Sequence, residues 1–181
     1  VSRVEASVTY PANFQLVAAM NPCPCGHFPD RSRCRCTDGQ ITRYLQKVSG
    51  PMLDRIDICV EASPITYGDI RSSGNNESSR EIRARVEQAR KIQGERFAGE
   101  NIRCNGEMSG RHIRKFCWLG REEEKFMEEI FKKLALSARM HDRILKVART
   151  TADLAEEEKI RLADLCEAVS YVKSRGKFWG N

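Results

Sequence analysis

Hydrophobic positions in the first third of the chain follow the periods of β-strands. In residues 1–10, apolar side chains alternate with polar ones, which is the period of a half-buried strand. Residues 14–20 are almost continuously apolar, as in a central strand covered on both faces. Asn21-Pro22 ends this run, because proline cannot donate to a strand ladder. A short alternation over residues 56–60 predicts one more strand.

Beyond residue 77 the apolar period becomes that of amphipathic helices. Ser78-x-x-Glu81 is a capping box, which predicts a helix start. Further helices are predicted from Ser109 to about Cys117, over 122–134, from Ser137, and through residues 162–172. Their apolar stripes are Ile82, Val86, Ala89 and Phe97; Phe126, Met127, Ile130, Phe131 and Leu134; Ile144, Leu145, Ala148, Ala152 and Ala155; and Leu162, Leu165, Cys166, Val169 and Val172.

The composition changes between these two regions. Residues 64–77 are rich in Gly, Ser, Asn and Asp, which is typical of a linker. The predicted organisation is therefore an α/β segment over 1–63, a linker over 64–77 and an all-α domain over 78–175. The chain as a whole is predicted to be mainly α.

Bulk composition limits the class of protein. With 181 residues, 40% hydrophobic and 31% charged, the chain has the composition of a soluble globular protein. No apolar run approaches the roughly 20 residues of a membrane span. No signal peptide is found and the first residue is Val1, so we expect a processed chain or a fragment. A net charge of +6 permits nucleic-acid or phosphate binding, although an ordinary basic surface explains it equally well.

Eight cysteines are distributed unevenly. Four crowd the loop over residues 23–36, whereas Cys59, Cys104, Cys117 and Cys166 stand singly in apolar-patterned segments. We expect these four to be reduced thiols of the core. Reduced cysteines are typical of a cytoplasmic protein, which is the predicted location.

The crowded loop has the spacing C-x-C, eight residues, C-x-C, formed by Cys23, Cys25, Cys34 and Cys36. Thiolates are preferred ligands of zinc, and four of them complete a tetrahedral site without leaving a position for water. We therefore expect a structural zinc ion. Unpaired cysteines and disulfides are the alternatives, and His27 is an alternative ligand.

Three ordered stretches carry a resemblance to a known family. They run from Tyr10 to Gly26 (YPANFQLVAAMNPCPCG), from Ser49 to Ile58 (SGPMLDRIDI), and from Leu136 (LSAR) through Ile144 to Leu154 (ILKVARTTADL). In this order they resemble the magnesium chelatase-related AAA+ ATPases of the ComM/YifB type. The chain departs from that pattern at Thr151, where isoleucine is expected.

Two other motifs of such ATPases are missing from the sequence. There is no G-x-x-x-x-G-K-[ST] phosphate loop and no strand ending in paired acidic residues that would hold Mg²⁺. The resemblance therefore implies a C-terminal part of the ATPase, with the distal strands of an AAA+ sheet followed by the helical lid. This chain alone is expected not to hydrolyse ATP.

The resemblance also implies three residues that serve the nucleotide. Asn21 matches the sensor 1 residue that orients the attacking water, and Arg55 matches the arginine finger that acts on a neighbouring subunit's γ-phosphate. Arg139 matches the sensor 2 arginine. The alternatives are that Asn21 merely ends a strand, and that Arg55 pairs locally with Asp54 or Asp57.

Arg139 has independent support from its position. With Ser137 as N-cap, Arg139 falls in the first helical turn, where the helix dipole disfavours a cation unless an anion is bound. Arg143 and Arg149 follow on the same helix and are expected to be surface or lid contacts. Arg3 matches a strand of the presensor 1 hairpin, which implies a DNA contact, although such a residue is usually only solubilising.

For the full-length protein the resemblance implies a hexameric ring that uses ATP and Mg²⁺ to move DNA, with branch migration of incoming DNA as its role. A first alternative is the ATPase subunit of a magnesium chelatase, which drives metal insertion into a porphyrin. A second is a stand-alone zinc module that binds nucleic acid or protein without ATP.

Overall fold

The structure is a computed structural model that describes residues 2–3, 6–10, 14–71 and 77–179. These residues form eight α-helices, a 3-10 helix and one two-stranded pairing, so the mainly α prediction is confirmed. The chain divides into two compact units, residues 1–47 and residues 48–181. The predicted boundaries at 63 and 77 stay predictions.

The first unit begins with a minimal antiparallel pairing. β1 (Ser2–Arg3) pairs with β2 (Ala6–Ser7), with Ser2 opposite Ser7 and Arg3 opposite Ala6. The single strand predicted over residues 1–10 is therefore wrong, because both paired segments come from that stretch. Val8 and Tyr10, expected on a half-buried face, are exposed.

The strands predicted over 14–20 and 56–60 are also absent from the part of the chain that the structure describes. Phe14 is 76% exposed, Val17 85% and Val60 74%. A strand needs a neighbouring strand to bond its backbone groups, and the strand pairing among the described residues includes neither segment. The apolar pattern identified residues suited to a sheet, but not the partners that would cover them.

Three short helices follow the cysteine loop. α1 (Asp38–Leu45) starts with a complete capping box, in which Thr37 and Gln40 each bond the other's backbone. α2 (Gly50–Leu53) is capped by Ser49, whose hydroxyl accepts from the Met52 N–H. α3 (Tyr67–Arg71) lies within the predicted linker, of which residues 72–76 lie outside the described residues.

The helical domain follows the predicted helix starts closely. α4 (Ser79–Arg96) has the predicted capping box at Ser78 and Glu81. A 3-10 helix (Asn105–Glu107) precedes α5 (Gly110–Phe116) and α6 (Arg121–Lys133). α7 (Ala138–Leu154) is capped by the Ser137 hydroxyl, and α8 (Leu162–Trp179) ends the described chain.

α7 is the central helix of this domain. It packs against α4, α5, the 3-10 helix and most extensively α8, and α6 packs against α8. Ala148 and Ala152 are fully buried, and Ile144 is 1% exposed. Such small side chains allow helices to approach closely, so α7 forms a rigid base for the residues at its start.

Several apolar positions were predicted to be buried and are not. Ile82 and Val86 at the start of α4 are 43% and 44% exposed, whereas Ala89 and Phe97 near its end are buried. Phe131 is also exposed. α4 packs on the domain through its C-terminal half, so its amphipathic stripe predicted more buried residues than the structure has.

The four single cysteines were predicted to be core thiols, and only Cys117 lies in the core, at 3% exposure. Cys166 is exposed, and Cys59 and Cys104 are half-buried. All eight cysteines are free thiols, in agreement with the expected reduced state.

Candidate functional site

The cysteine loop is folded by a series of tight turns. The Gly26 N–H donates to the Cys23 carbonyl at 3.0 Å, and the Cys34 N–H donates to the Asp30 carbonyl at 2.8 Å. Between them the Asp30 carboxylate accepts from the Ser32 N–H at 3.0 Å and its hydroxyl at 2.6 Å. These side-chain bonds fix the loop locally. They bring the two C-x-C pairs face to face.

The four sulfur atoms lie within 4.8 Å of one another. Cys23 Sγ is 3.4 Å from Cys25 Sγ and 3.8 Å from Cys34 Sγ, and the latter two are 3.6 Å apart. Disulfide bonding requires about 2.05 Å, so the cluster is not oxidised. A tetrahedral ion with metal–sulfur bonds of about 2.3 Å places sulfurs about 3.8 Å apart. The cluster can therefore hold a metal ion.

Electrostatics of the loop favour a cation at its centre. N–H groups of His27 and Arg35 donate to the Cys25 sulfur and lower the pKa of that thiol to about 6. Desolvation raises the pKa of the Cys36 thiol to about 12. The Cys25 thiolate thus forms readily, whereas forming the Cys36 thiolate costs free energy unless a positive charge lies nearby. A bound metal ion supplies that charge.

Basic residues surround the cysteines, although the nearby Arg31 is engaged with other partners. Arg31 forms an ion pair with Asp38 and lies over the Phe28 ring at 5.0 Å. An open groove of about 460 Å³ instead brings other cations beside Cys25 and Cys36; its lining is Pro24, Cys25, Arg35, Cys36, Gln40, Arg43, Tyr44 and Lys47. His27 lines a second groove with Cys25, Arg33 and Arg35, and its ring is not part of the sulfur cluster.

Asn21 lies beside the first turn of the cysteine loop. Gly26 adopts a φ of +81°, which favours glycine, and a Cβ there would lie 3.7 Å from Asn21 Cγ and Nδ2. Asn21 is exposed. The Asn21 amide therefore lies beside the same turn that brings Cys23 and Cys25 together. Its role at a nucleotide stays a prediction.

Arg55 is exposed directly after α2. Its Nη1 donates to the Pro51 carbonyl at 2.6 Å. The alternative of a pair with Asp57 is not what the structure has, because Asp57 binds Arg143, with Nε to Oδ1 at 2.9 Å. This bond ties the Arg55 guanidinium to the backbone of α2. Its action on a neighbouring subunit stays a prediction.

Arg139 is exposed in the first turn of α7, two residues after its N-cap. No carboxylate occurs in that first turn to offset the guanidinium. Arg55 and Arg139 belong to the same compact unit, whereas Asn21 belongs to the other. The Arg3 side chain lies outside the described residues, so the DNA contact proposed for it stays a prediction.

A buried charge cluster that the sequence did not reveal holds α7 in place. The Asp153 carboxylate, 0% exposed, forms an ion pair with Arg96 of α4 and accepts from Arg149 Nε at 3.0 Å and Asn105 Nδ2 at 2.8 Å. Asn105 Nδ2 also donates to the Thr150 hydroxyl at 3.0 Å. The cluster joins α4, the 3-10 helix and α7.

Arg149 corrects one expectation. Predicted as a surface or lid contact, it is 2% exposed, and its Nη1 and Nη2 donate to the carbonyls of Glu158 at 2.7 Å and Glu157 at 2.5 Å. Burial lowers the pKa of its guanidinium. The available signal was a pair of opposite charges at i, i+4, Arg149 and Asp153, on the apolar face of a helix.

Among the described residues, no helix combines the length and apolar character needed to cross a bilayer.

Family comparisons match both parts of the chain. Residues 1–70 match the model described as magnesium chelatase, subunit ChlI, and residues 76–172 match the model of its C-terminal region. Competence protein ComM of Haemophilus influenzae is 41% identical over 172 residues, and the uncharacterized protein YifB of Escherichia coli is 43% identical over 173. An uncharacterized Mycobacterium tuberculosis protein is 34% identical over 171.

Each alignment covers 94% of this chain and 33–34% of the relative. The chain thus spans about a third of the length of the curated relatives it matches. Since the C-terminal model alone covers residues 76–172, more than half of the sequence, the chain belongs to the magnesium chelatase family, in the branch that includes ComM and YifB.

Proposed function

We propose that this chain is the C-terminal part of an AAA+ ATPase that assembles into a ring and uses ATP to move DNA. The observation that carries the proposal is the similarity to competence protein ComM along 94% of the chain. A competence protein serves the uptake of DNA, so branch migration of incoming DNA is the role we assign. The full-length protein would act in the cytoplasm.

The described geometry supports three roles in ATP hydrolysis. Arg139, at the exposed start of α7, binds the phosphates of ATP, since a phosphate at a helix N-terminus compensates for a cation there. Arg55, exposed and held by the Pro51 carbonyl, stabilises γ-phosphate charge on a neighbouring subunit. Asn21 orients the attacking water. Mg²⁺ and the phosphate loop belong to the part of the protein outside this chain.

The cysteine cluster has a structural role in this proposal. Zinc is the assigned ion, because four thiolates whose sulfurs lie within 4.8 Å of one another, three of them 3.4–3.8 Å apart, suit its size and leave no open coordination position. Cys23, Cys25, Cys34 and Cys36 would then fix the turn that positions Asn21, and the ion itself performs no chemistry.

ATP hydrolysis by the full-length protein tests the proposal. Wild type is expected to hydrolyse ATP faster when DNA is added. Arg139→Ala should raise the KM for ATP, while Arg83→Ala on the exposed face of α4 should leave it unchanged. Mixing Arg55→Ala subunits into wild-type rings should depress the rate more than linear dilution. A protein without DNA-stimulated ATPase activity contradicts the proposal.

The magnesium chelatase subunit is the second candidate, because the family description carries that name. The two differ in what stimulates ATP hydrolysis. DNA is expected to stimulate the motor, whereas the chelatase subunit drives metal insertion into a porphyrin and is expected to hydrolyse ATP at the same rate with and without DNA.

A further inference from the structure

The ion pair between Asp57 and Arg143 connects two segments of the second unit that are distant in sequence. Arg143 Nε lies 2.9 Å from Asp57 Oδ1, and the side chains are 16% and 65% exposed. Asp57 follows Arg55 by two residues, and Arg143 follows Arg139 by one helical turn on the same face of α7. The pair therefore joins the neighbourhoods of both arginines assigned to ATP.

The two ends of this contact differ in how firmly they are held. On α7, Ile144 and Leu145 next to Arg143 are 1% and 5% exposed. Beyond Asp57, Ile58 and Val60 are 52% and 74% exposed, so their segment has little apolar packing. The well-packed α7 thus anchors the contact, and Arg143 on it holds the less packed segment after α2.

Arg143 is also not arranged for stability alone. Its Nη1 is buried and has no hydrogen-bond partner within the described part of the chain. Burying an unpaired donor is unfavourable, and such local violations of packing rules are concentrated at functional sites.

We propose that Asp57 and Arg143 form a strut through which α7 positions the segment carrying Arg55, so that movement at Arg139 reaches Arg55. Arg143 and Asp57 are positioning residues in this scheme, because they act through the orientation of Arg55. The purpose of the strut rests on the proposed function, since Arg55 needs positioning only if it serves ATP. The physical connection can be tested independently of that function.

The first experiment measures the connection in the 181-residue chain. Trypsin cleaves after Arg55, and initial cleavage there reports how well the segment is held. Asp57→Asn and Arg143→Gln are each expected to accelerate it by about 2- to 30-fold, the range of a coupling between sites. The double variant should be no faster than the faster single variant, because both remove one contact.

Matched controls are available on the surface of α6 and beside the 3-10 helix. Glu128 is 67% exposed and pairs with Lys132 at 2.6 Å, so Glu128→Gln removes a comparable carboxylate elsewhere. Arg103→Gln removes an exposed arginine that pairs with Glu107. Neither should change cleavage after Arg55. If the Asp57→Asn variant, in which the helical core is untouched, is also cleaved at the wild-type rate, the strut is disproved.

The second experiment uses ATP hydrolysis by the full-length protein. Asp57→Asn should lower kcat and leave the KM for ATP unchanged, because Arg139 remains in place. Exchange of the charges, Asp57→Arg with Arg143→Asp, should restore part of kcat. A lowered kcat without rescue overturns the positioning role. A wild-type protein without ATPase activity overturns the proposed function instead, while the cleavage result still decides whether the strut exists.

Discussion

Apolar side chains are exposed in the apolar segments before residue 64, whereas similar side chains are buried in the helical domain after residue 77. Phe14 and Val17 are 76% and 85% exposed, whereas Ile144 and Leu165 are 1% and 0% exposed. A helix bonds its own backbone and needs only a stripe to be covered, so α4 to α8 form a core together. A strand needs neighbours for both its backbone and its faces.

The cysteine loop, which also lies before residue 64, is ordered in a third way. Of its residues only Cys23 is fully buried, and its order comes from turns and from four convergent sulfurs. Small segments without a core commonly rely on a metal ion in this way. The comparison therefore predicts different responses to metal removal, to loss of buried charge and to loss of apolar volume.

Metal removal should have the largest effect, confined to the cysteine loop. Structural zinc binds with apparent free energies on the order of 10–16 kcal/mol. Chelation, or Cys34→Ser, is expected to abolish protection of residues 23–36 in hydrogen exchange while the helical domain melts as before. Equal zinc content in wild type and Cys34→Ser would contradict the assigned site.

Acidity should act in the same direction as the chelator, because protons compete with the metal for sulfur. Below the pKa of about 6, even Cys25 is protonated in the metal-free loop, so every metal–sulfur bond must then displace a proton. Affinity for zinc should fall as pH falls and should fall more steeply below that pKa, because the raised pKa values of Cys34 and Cys36 already make zinc displace their protons at higher pH. Competition with a chromophoric chelator across pH 5–8 measures this.

Loss of the Asp153 carboxylate should be the largest single effect within the helical domain. Asp153→Ala leaves Arg96 and Arg149 without their shared anion, and removing one partner of a buried pair costs about 3–5 kcal/mol. Chemical denaturation of the chain measures the change in free energy of unfolding. Asp142→Ala, a half-exposed carboxylate on the same helix, is the control, and an equal loss in both would contradict a special role for the buried cluster.

Truncation of apolar side chains tests the comparison directly. Leu165→Ala removes a fully buried side chain and should cost about 2–5 kcal/mol. Val17→Ala should change the free energy of unfolding by no more than about 0.5 kcal/mol, because Val17 is 85% exposed. If the two variants lose similar stability, then Val17 is covered in solution and the contrast between the regions is wrong.

The smallest predicted effect concerns a helix cap. The Ser78 hydroxyl accepts from the Glu81 N–H at 3.3 Å, and Glu81 in turn accepts from the Ser78 N–H at 2.7 Å. Ser78→Ala should cost about 1 kcal/mol. Ser79→Ala one residue later serves as the control, and thermal unfolding followed by circular dichroism should separate the two.

Sequence patterns predicted the helical domain well because its signals are local. Caps at Ser78, Ser109 and Ser137 mark helix starts within a single turn of chain, and the structure has a helix after each. The strand predictions failed because pairing depends on distant residues. Residues 14–20 have the composition of a central strand, yet the strand pairing among the described residues does not include them.

The candidate site, like the fold, was predictable from the sequence only in part. Spacing placed Cys23, Cys25, Cys34 and Cys36 in one loop, and the structure brings their sulfurs together. Asn21, Arg55 and Arg139 came from resemblance, and their roles stay predictions. The partners of Arg143 and Arg149 were missed, because a charged residue on a helix shows its spacing but not which distant carboxylate or carbonyl it reaches.

Arg149 has a consequence for how the reversal between α7 and α8 is encoded. Its guanidinium donates to the Asp153 carboxylate and to the carbonyls of Glu157 and Glu158. A lysine ammonium on its flexible side chain would not reproduce these three hydrogen bonds. The reversal is therefore specified from within the preceding helix, through backbone atoms that every residue possesses. The identity of the residue at position 158 can change freely in evolution, whereas one inserted residue would displace both carbonyls.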